Sequence, residues 1–77
     1  MSDTDRVHDG IFQVVVNGLS STVVPGTTLG ELVRRVTDHQ AGIAVALNAE
    51  IVPRSHWDAV QVQAGDRVEV LTAAAGG

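Results

Sequence analysis

Neither cysteine nor lysine occurs anywhere in the 77 residues. Without cysteine there is no disulfide framework, no thiolate zinc site and no thiol nucleophile, so any sulfur chemistry has to use another group. Without lysine no side-chain amine can accept an acyl group, and self-linked chains through lysine are chemically excluded. All five basic residues are arginines (Arg6, Arg34, Arg35, Arg54, Arg67), scattered along a chain of formal net charge −4. That balance argues against nucleic acid as a partner. Long apolar runs are missing too: Ile43 to Leu47 falls far short of the ~18 residues that a membrane helix needs. The acidic start Met1-Ser2-Asp3-Thr4-Asp5 lacks the basic region of a signal peptide. The cytoplasm is therefore the expected location. Length excludes something as well. The chain is about half the usual single-domain prior, enough for one hydrophobic core but short of the walls of a deep cleft, so a self-sufficient enzyme is not expected.

What is present has a clear order. Residues 1–10 are polar and aperiodic and read as a flexible N-terminal extension. The run Ile11-Phe12-Gln13-Val14-Val15-Val16 is β-branched and aromatic; Asn17-Gly18 follows, and Leu19 to Val24 runs on to Pro25-Gly26. Asn-Gly between two such runs is the strongest short-range hairpin signal. Alternation places Phe12, Val14 and Val16 on one face and Ile11, Gln13 and Val15 on the other. The period then changes. Leu29, Leu32, Val33 and Val36 fall at i, i+3, i+4 and i+7 and form one apolar helical stripe. Thr28-x-x-Glu31 supplies a capping box at its start, Arg34 and Arg35 suit the negative end of the helix dipole, and Gly42 offers a left-handed stop.

Ile43-Ala44-Val45-Ala46-Leu47 is too short for a second helix and reads as a buried strand; Asn48-Ala49-Glu50 turns the chain, and Ile51-Val52 makes a brief edge strand that Pro53 ends. Ser55-His56-Trp57-Asp58 repeats the spacing of a helix start and predicts one short turn with Trp57 folded onto the core. Gly65-Asp66 opens a last strand, Arg67 to Leu71, with clean alternation. Residues 72–77, ending in Gly76-Gly77, carry no side chain able to anchor them and read as a flexible tail.

The order β-β-α-β-(β)-β, with one helix that needs a sheet face to cover its stripe, predicts an α+β fold of the ubiquitin-like β-grasp type over residues 11–71. Its sheet would be mixed, four- to five-stranded, and covered on one face by the single helix. The expected core is Val14, Val16, Val23, Leu29, Leu32, Val33, Val36, Val45, Leu47, Val68 and Val70. Val15, Ala44, Ala46 and Leu71 would lie on the opposite, uncovered face as an apolar docking patch.

The residues now in view resemble the ThiS branch of the ThiS/MoaD sulfur carriers, from Gln13 to Gly77. The likeness rests on Val16-Asn17-Gly18, on Pro25-Gly26-Thr27-Thr28-Leu29-Gly30-Glu31-Leu32, on Val45-Ala46-Leu47-Asn48, on Ile51-Val52-Pro53-Arg54-Ser55-x-Trp57 and on Ala64-Gly65-Asp66-Arg67-Val68-Glu69 leading to Gly76-Gly77. The block from Asn48 to Trp57 separates it from the small subunit of molybdopterin synthase. The resemblance implies a carrier in thiamin (thiazole) synthesis that is a protein co-substrate rather than an enzyme and binds no cofactor itself. An E1-like adenylyltransferase (ThiF-type) would spend ATP to make an acyl-adenylate at Gly77. Sulfur, from a cysteine desulfurase or another donor, would then replace AMP, and a thiazole synthase (ThiG-type) would receive it. Glycine suits such a terminus because a backbone without side chains can thread a narrow channel. No membrane partner is implied.

Blander readings compete at each position. Two terminal glycines arise by chance about once in 200, given glycine at roughly 7% of residues, so the pair argues for a carrier only together with the fold. Pro53-Arg54-Ser55-x-Trp57 reads first as a structural corner with Trp57 as core filler. The three histidines, His8, His39 and His56, have no metal-binding spacing, and the nine carboxylates, from Asp3 to Glu69, are best explained as solvated surface. Two alternatives in function remain: a carrier for molybdopterin or another thiocarboxylate-dependent route, and a non-catalytic β-grasp binding module, against which the free diglycine end counts.

Overall fold

The computed structural model of the chain describes residues 10–38 and 42–72. Both segments expected to be flexible, apart from Gly10 and Thr72, lie outside the described residues, as do His8, His39 and Gly76-Gly77.

Strands β1 (Phe12–Val16) and β2 (Leu19–Val23) pair antiparallel with Val16 opposite Leu19. Only Asn17 and Gly18 are left to turn the chain, and both have positive φ, +50° and +86°. This is the turn whose twist matches that of the strands it joins, and Asn-Gly is the pair that adopts it at least cost.

Helix α1 (Leu29–Val36) begins with the expected capping box. The Glu31 backbone N–H donates to Thr28 Oγ1 at 3.1 Å, and the Thr28 backbone N–H donates to Glu31 Oε1 at 2.9 Å. Leu29, Leu32 and Val33 are fully buried, but Val36 is 45% exposed and does not join the core. The reason is helix length: α1 ends at Val36, with Thr37 as an extended cap, rather than running on to Gly42. The fourth stripe position therefore falls on the final residue, where no further turn packs over it. Gly42 does take the left-handed conformation, φ +77°, but in the connection to β3.

Strands β3 (Ile43–Leu47) and β4 (Glu50–Ile51) form a second tight hairpin. Its turn residues Asn48 and Ala49 have φ of +52° and +74°. A left-handed alanine is strained by ~1–2 kcal/mol because its Cβ crowds the following carbonyl. Ala49→Gly should therefore stabilise the fold by about 1 kcal/mol and raise the melting temperature by roughly 4–8 °C in a domain this small. A thermal melt with unchanged or lower midpoint would contradict that reading of the turn.

A 3₁₀ segment (Arg54–Ala59) follows, and Trp57 within it is 4% exposed. The residue expected to cap it, Ser55, lies inside it; the cap position is Pro53, which offers no side-chain bond. What holds the segment is Trp57, whose Nε1–H donates to the Val52 carbonyl at 2.8 Å. After it, the Val60 carbonyl accepts from Leu29 N–H and the Val62 N–H donates to the Thr27 carbonyl, which buries Val62 (3% exposed) as an unexpected core member.

Strand β5 (Arg67–Thr72) closes the sheet, parallel to β1 and antiparallel to β3. The order is β2-β1-β5-β3-β4, a mixed five-stranded sheet, so the last strand in sequence is the middle one in space. Thr72, assigned to the tail by sequence, is the final residue of β5 and pairs with Ile43. One face of the sheet packs under α1 and the 3₁₀ segment around Val14, Val16, Val23, Val45, Val68 and Val70, with Phe12, Ile43, Leu47, Val52 and Val60 at the margin. This is the ubiquitin-like β-grasp expected from the element order.

Candidate functional site

The candidate site has two parts, the root of the C-terminus and the sheet face around it. β5 is bonded to a neighbour on each side. Pairing with β3 runs from Leu47–Val68 to Ile43–Thr72, so the backbone is held to within one residue of Ala73. Gly76 and Gly77 themselves lie outside the described residues.

Alternation along β5 sends Val68 and Val70 into the core and leaves Arg67, Glu69 and Leu71 on the other face. Cross-strand register adds Ala44 beside Leu71, then Ala46 beside Glu69, with Ile51 beyond Ala46 on β4. Val15 lies opposite Arg67 on β1. Leu71 is 53% and Ile51 65% exposed, Ala44 is exposed and Val15 half-buried. Three of the four residues expected here are thus available to a partner.

Ala46 differs: it is 5% exposed. A methyl group set between the longer side chains of Glu69 and Ile51 on adjacent strands is shielded by both. Aspartate at Ala46 would therefore probe burial rather than docking. Sequence reasoning missed Ile51 as a face residue because a two-residue edge strand has too little alternation to show its side.

Two asparagines bond to β5 through their side chains. Asn17 Oδ1 accepts from the Val70 N–H at 2.8 Å, and Asn48 Oδ1 accepts from the Arg67 N–H at 2.9 Å. Sequence reasoning took both only as turn formers. Arg34 and Asp58 form an ion pair at 3.4 Å with side chains 49% and 74% exposed, a geometry that contributes little to stability. His56 is exposed, with Nδ1 3.4 Å from Ser55 Oγ. Among the described residues no group of three or more His, Asp or Glu could hold a metal ion, and no helix is long and apolar enough to cross a membrane.

Comparison with known proteins decides between the carrier branches. The sequence model of the ThiS family matches residues 14–77, through the final glycine. This chain belongs to the ThiS family. The sulfur carrier protein ThiS of Escherichia coli (strain K12) is 37% identical over 65 residues, 84% of this chain and 98% of that protein. The crystal structure of the thiamine biosynthesis protein ThiS from Geobacter metallireducens aligns with a TM-score of 0.65 at 36% identity, over 86% of this chain and 100% of that one. An NMR solution structure of a thiamine biosynthesis protein from the same organism gives 0.68 at 36% identity, over 86% of this chain and 88% of that one. In this ThiS-family chain the family match therefore takes in the hairpin from Val14 onward, the capped helix, the open sheet face and the Gly-Gly terminus together, leaving the first 13 residues outside it.

Proposed function

We propose that this chain is a sulfur carrier in thiazole synthesis for thiamin and acts as a protein co-substrate whose reactive group is the Gly77 carboxylate. The observation that carries the proposal is the family match, which runs to Gly77. A free carboxylate is a poor electrophile, and the chain holds no cysteine or lysine to form an acyl intermediate of its own. Activation has to come from a second protein. An E1-like adenylyltransferase joins the Gly77 carboxylate to AMP and releases pyrophosphate from ATP. Sulfide displaces AMP and leaves a thiocarboxylate directly; where the donor is a desulfurase persulfide, its outer sulfur displaces AMP to give an acyl disulfide, and a thiol reductant then supplies two electrons and releases the thiocarboxylate. A thiazole synthase takes up that sulfur and returns the carboxylate. Gly76 and Gly77, lacking side chains, suit passage through a narrow channel to the nucleotide.

Incubation with adenylyltransferase, ATP and sulfur donor should raise the intact mass by the difference between one sulfur and one oxygen, and fragmentation should place the change on Gly77. A gain on any other residue, or none, overturns the proposal.

The open face of Val15, Ala44, Leu71 and Ile51, with Ala46 recessed at its centre, is the docking surface in this reading. A half-exposed Leu71 contributes little to the fold and, as an anchor in a partner pocket, ~2 kcal/mol to binding. Leu71→Asp should weaken adenylyltransferase affinity by more than about tenfold with the melting temperature nearly unchanged. Equal affinity for parent and variant would remove this face from the docking site.

A further inference from the structure

The two asparagines beside β5 perform a task that turn formation does not require. β1 pairs with β5 only at Val15–Arg67 and Val16–Val68, and then turns away at Asn17-Gly18. The Asn17 N–H makes the last backbone bond on that side, to the Val68 carbonyl at 2.9 Å. β5 continues for four residues to Thr72. Along that edge Val70 would have no strand to pair with. The Asn17 side chain supplies the missing peptide group: Oδ1 accepts from Val70 N–H at 2.8 Å, and Nδ2 donates to the Val70 carbonyl at 3.4 Å. Only an amide carries one acceptor and one donor in this arrangement, and asparagine is also among the few residues that tolerate the left-handed φ of the turn. Asn48 repeats the device on the opposite edge and at the opposite end. Its N–H donates to the Arg67 carbonyl at 2.7 Å, its Oδ1 accepts from Arg67 N–H at 2.9 Å, and its Nδ2 donates to Asp66 Oδ1 at 3.0 Å.

We propose that Asn17 is a positioning residue for the Gly77 carboxylate: by clamping Val70 on the edge that β1 leaves bare, it reinforces the β3 pairing that holds β5 as far as Thr72, and so limits the reach of Gly77 into a partner's active site. This rests on the carrier function proposed above. Five residues follow Thr72, so Gly77 can lie at most about 18 Å beyond it, fully extended. Fraying of β5 back to Glu69 has to break its β3 pairing at Val70, Leu71 and Thr72 and expose Val70 as well; with the Asn17 clamp removed it is less costly, and it adds three residues and roughly 10 Å of possible reach. The longer span is more dilute at any one active site. Asn48 holds the far end of the strand and has no such effect on reach.

The test uses Asn17→Gly, which keeps the positive φ of the turn at no steric cost and removes only the clamp. Asn48→Gly is the control for simple loss of stability. By NMR-detected hydrogen exchange, the Val70 amide should exchange more than tenfold faster in Asn17→Gly and stay near the parent rate in Asn48→Gly. Single-turnover adenylation of Gly77 is then measured with and without deletion of Ala73 and Ala74. In the parent and in Asn48→Gly the deletion shortens the reach to about 11 Å and should slow adenylation at least a hundredfold. In Asn17→Gly the strand can give residues back, and the same deletion should cost at least tenfold less. Equal losses in all three backgrounds, or an unchanged Val70 amide, overturn the proposal. A parent chain that is never adenylated overturns the carrier function instead, and with it the reach effect, while the exchange result still decides the clamp.

Discussion

Deleting Gly77 should abolish the gain of sulfur while leaving the melting curve of the fold unchanged. The two halves of that expectation come from different parts of the chain. The core is built from residues between Phe12 and Val70, and the last cross-strand pair is Ile43–Thr72, so removing a residue beyond Thr72 takes away no part of the described packing. The chemistry of the proposed carrier, by contrast, has one address. No cysteine or lysine is present to carry an acyl group in its place. Deletion leaves Gly76 with a carboxylate, but one set back by up to about 3.6 Å. A displacement of 1 Å in a positioned reactant can already cost a hundredfold in rate. Gly76→Val tests the same point by bulk instead of length: in the proposed carrier mechanism its branched side chain would obstruct the narrow passage to the nucleotide and should reduce thiocarboxylate formation by at least a hundredfold. Both variants are compared with the parent by intact mass after incubation with adenylyltransferase, ATP and donor, and by thermal melting. Sulfur uptake by the Gly77 deletion, or loss of uptake only through loss of folding, would falsify the terminal mechanism and favour a binding module.

Most of the architecture is legible in the sequence because it is written in local signals. Asn17-Gly18 fixes a two-residue hairpin, Thr28 and Glu31 fix the start of α1, and the alternation of Arg67 to Leu71 fixes which side of β5 faces the core. Each depends on residues within four positions of one another. What the sequence hides is non-local. Val62 stands alone between Gln61 and Gln63, and its burial follows from a backbone bond to Thr27, far back in the chain. Val36 fits the stripe perfectly well, yet α1 stops there, and periodicity alone carries no information on where a helix ends. Ala46 has the parity of an exposed residue and is shielded by Glu69 and Ile51, which depends on register between three strands. The site divides in the same way. The exposure of Val15, Ala44 and Leu71 on the open face can be read from parity, and Gly76-Gly77, outside the described residues, rests on motif alone, whereas the side-chain bonds of Asn17 and Asn48 to β5 join residues that only the sheet order brings together.

Trp57→Ala is the substitution expected to cost the fold most. The indole is 4% exposed, packs in the cluster that includes Leu29, Leu32 and Val62, and bonds to the Val52 carbonyl at 2.8 Å. Truncating a buried tryptophan costs about 3–5 kcal/mol through lost burial and the cavity left behind. A chain of this length has a total stability of roughly 4–12 kcal/mol, so the variant should lose at least about a quarter of it, and at the low end all of it. Trp57→Phe keeps most of the ring but leaves the Val52 carbonyl without its donor, and should cost about 1–3 kcal/mol. Urea denaturation followed by far-ultraviolet circular dichroism reads both variants, since each lacks the only tryptophan. In the parent, Trp57 emission should move to longer wavelength in one transition with the circular dichroism signal. Native emission matching free tryptophan in water would place the indole outside the core and undo the argument. The same variants separate scaffold from chemistry. With Gly77 intact, sulfur uptake per folded molecule of Trp57→Phe should equal that of the parent. A deficit that persists after correction for the folded fraction would instead give Trp57 a part in binding the partner.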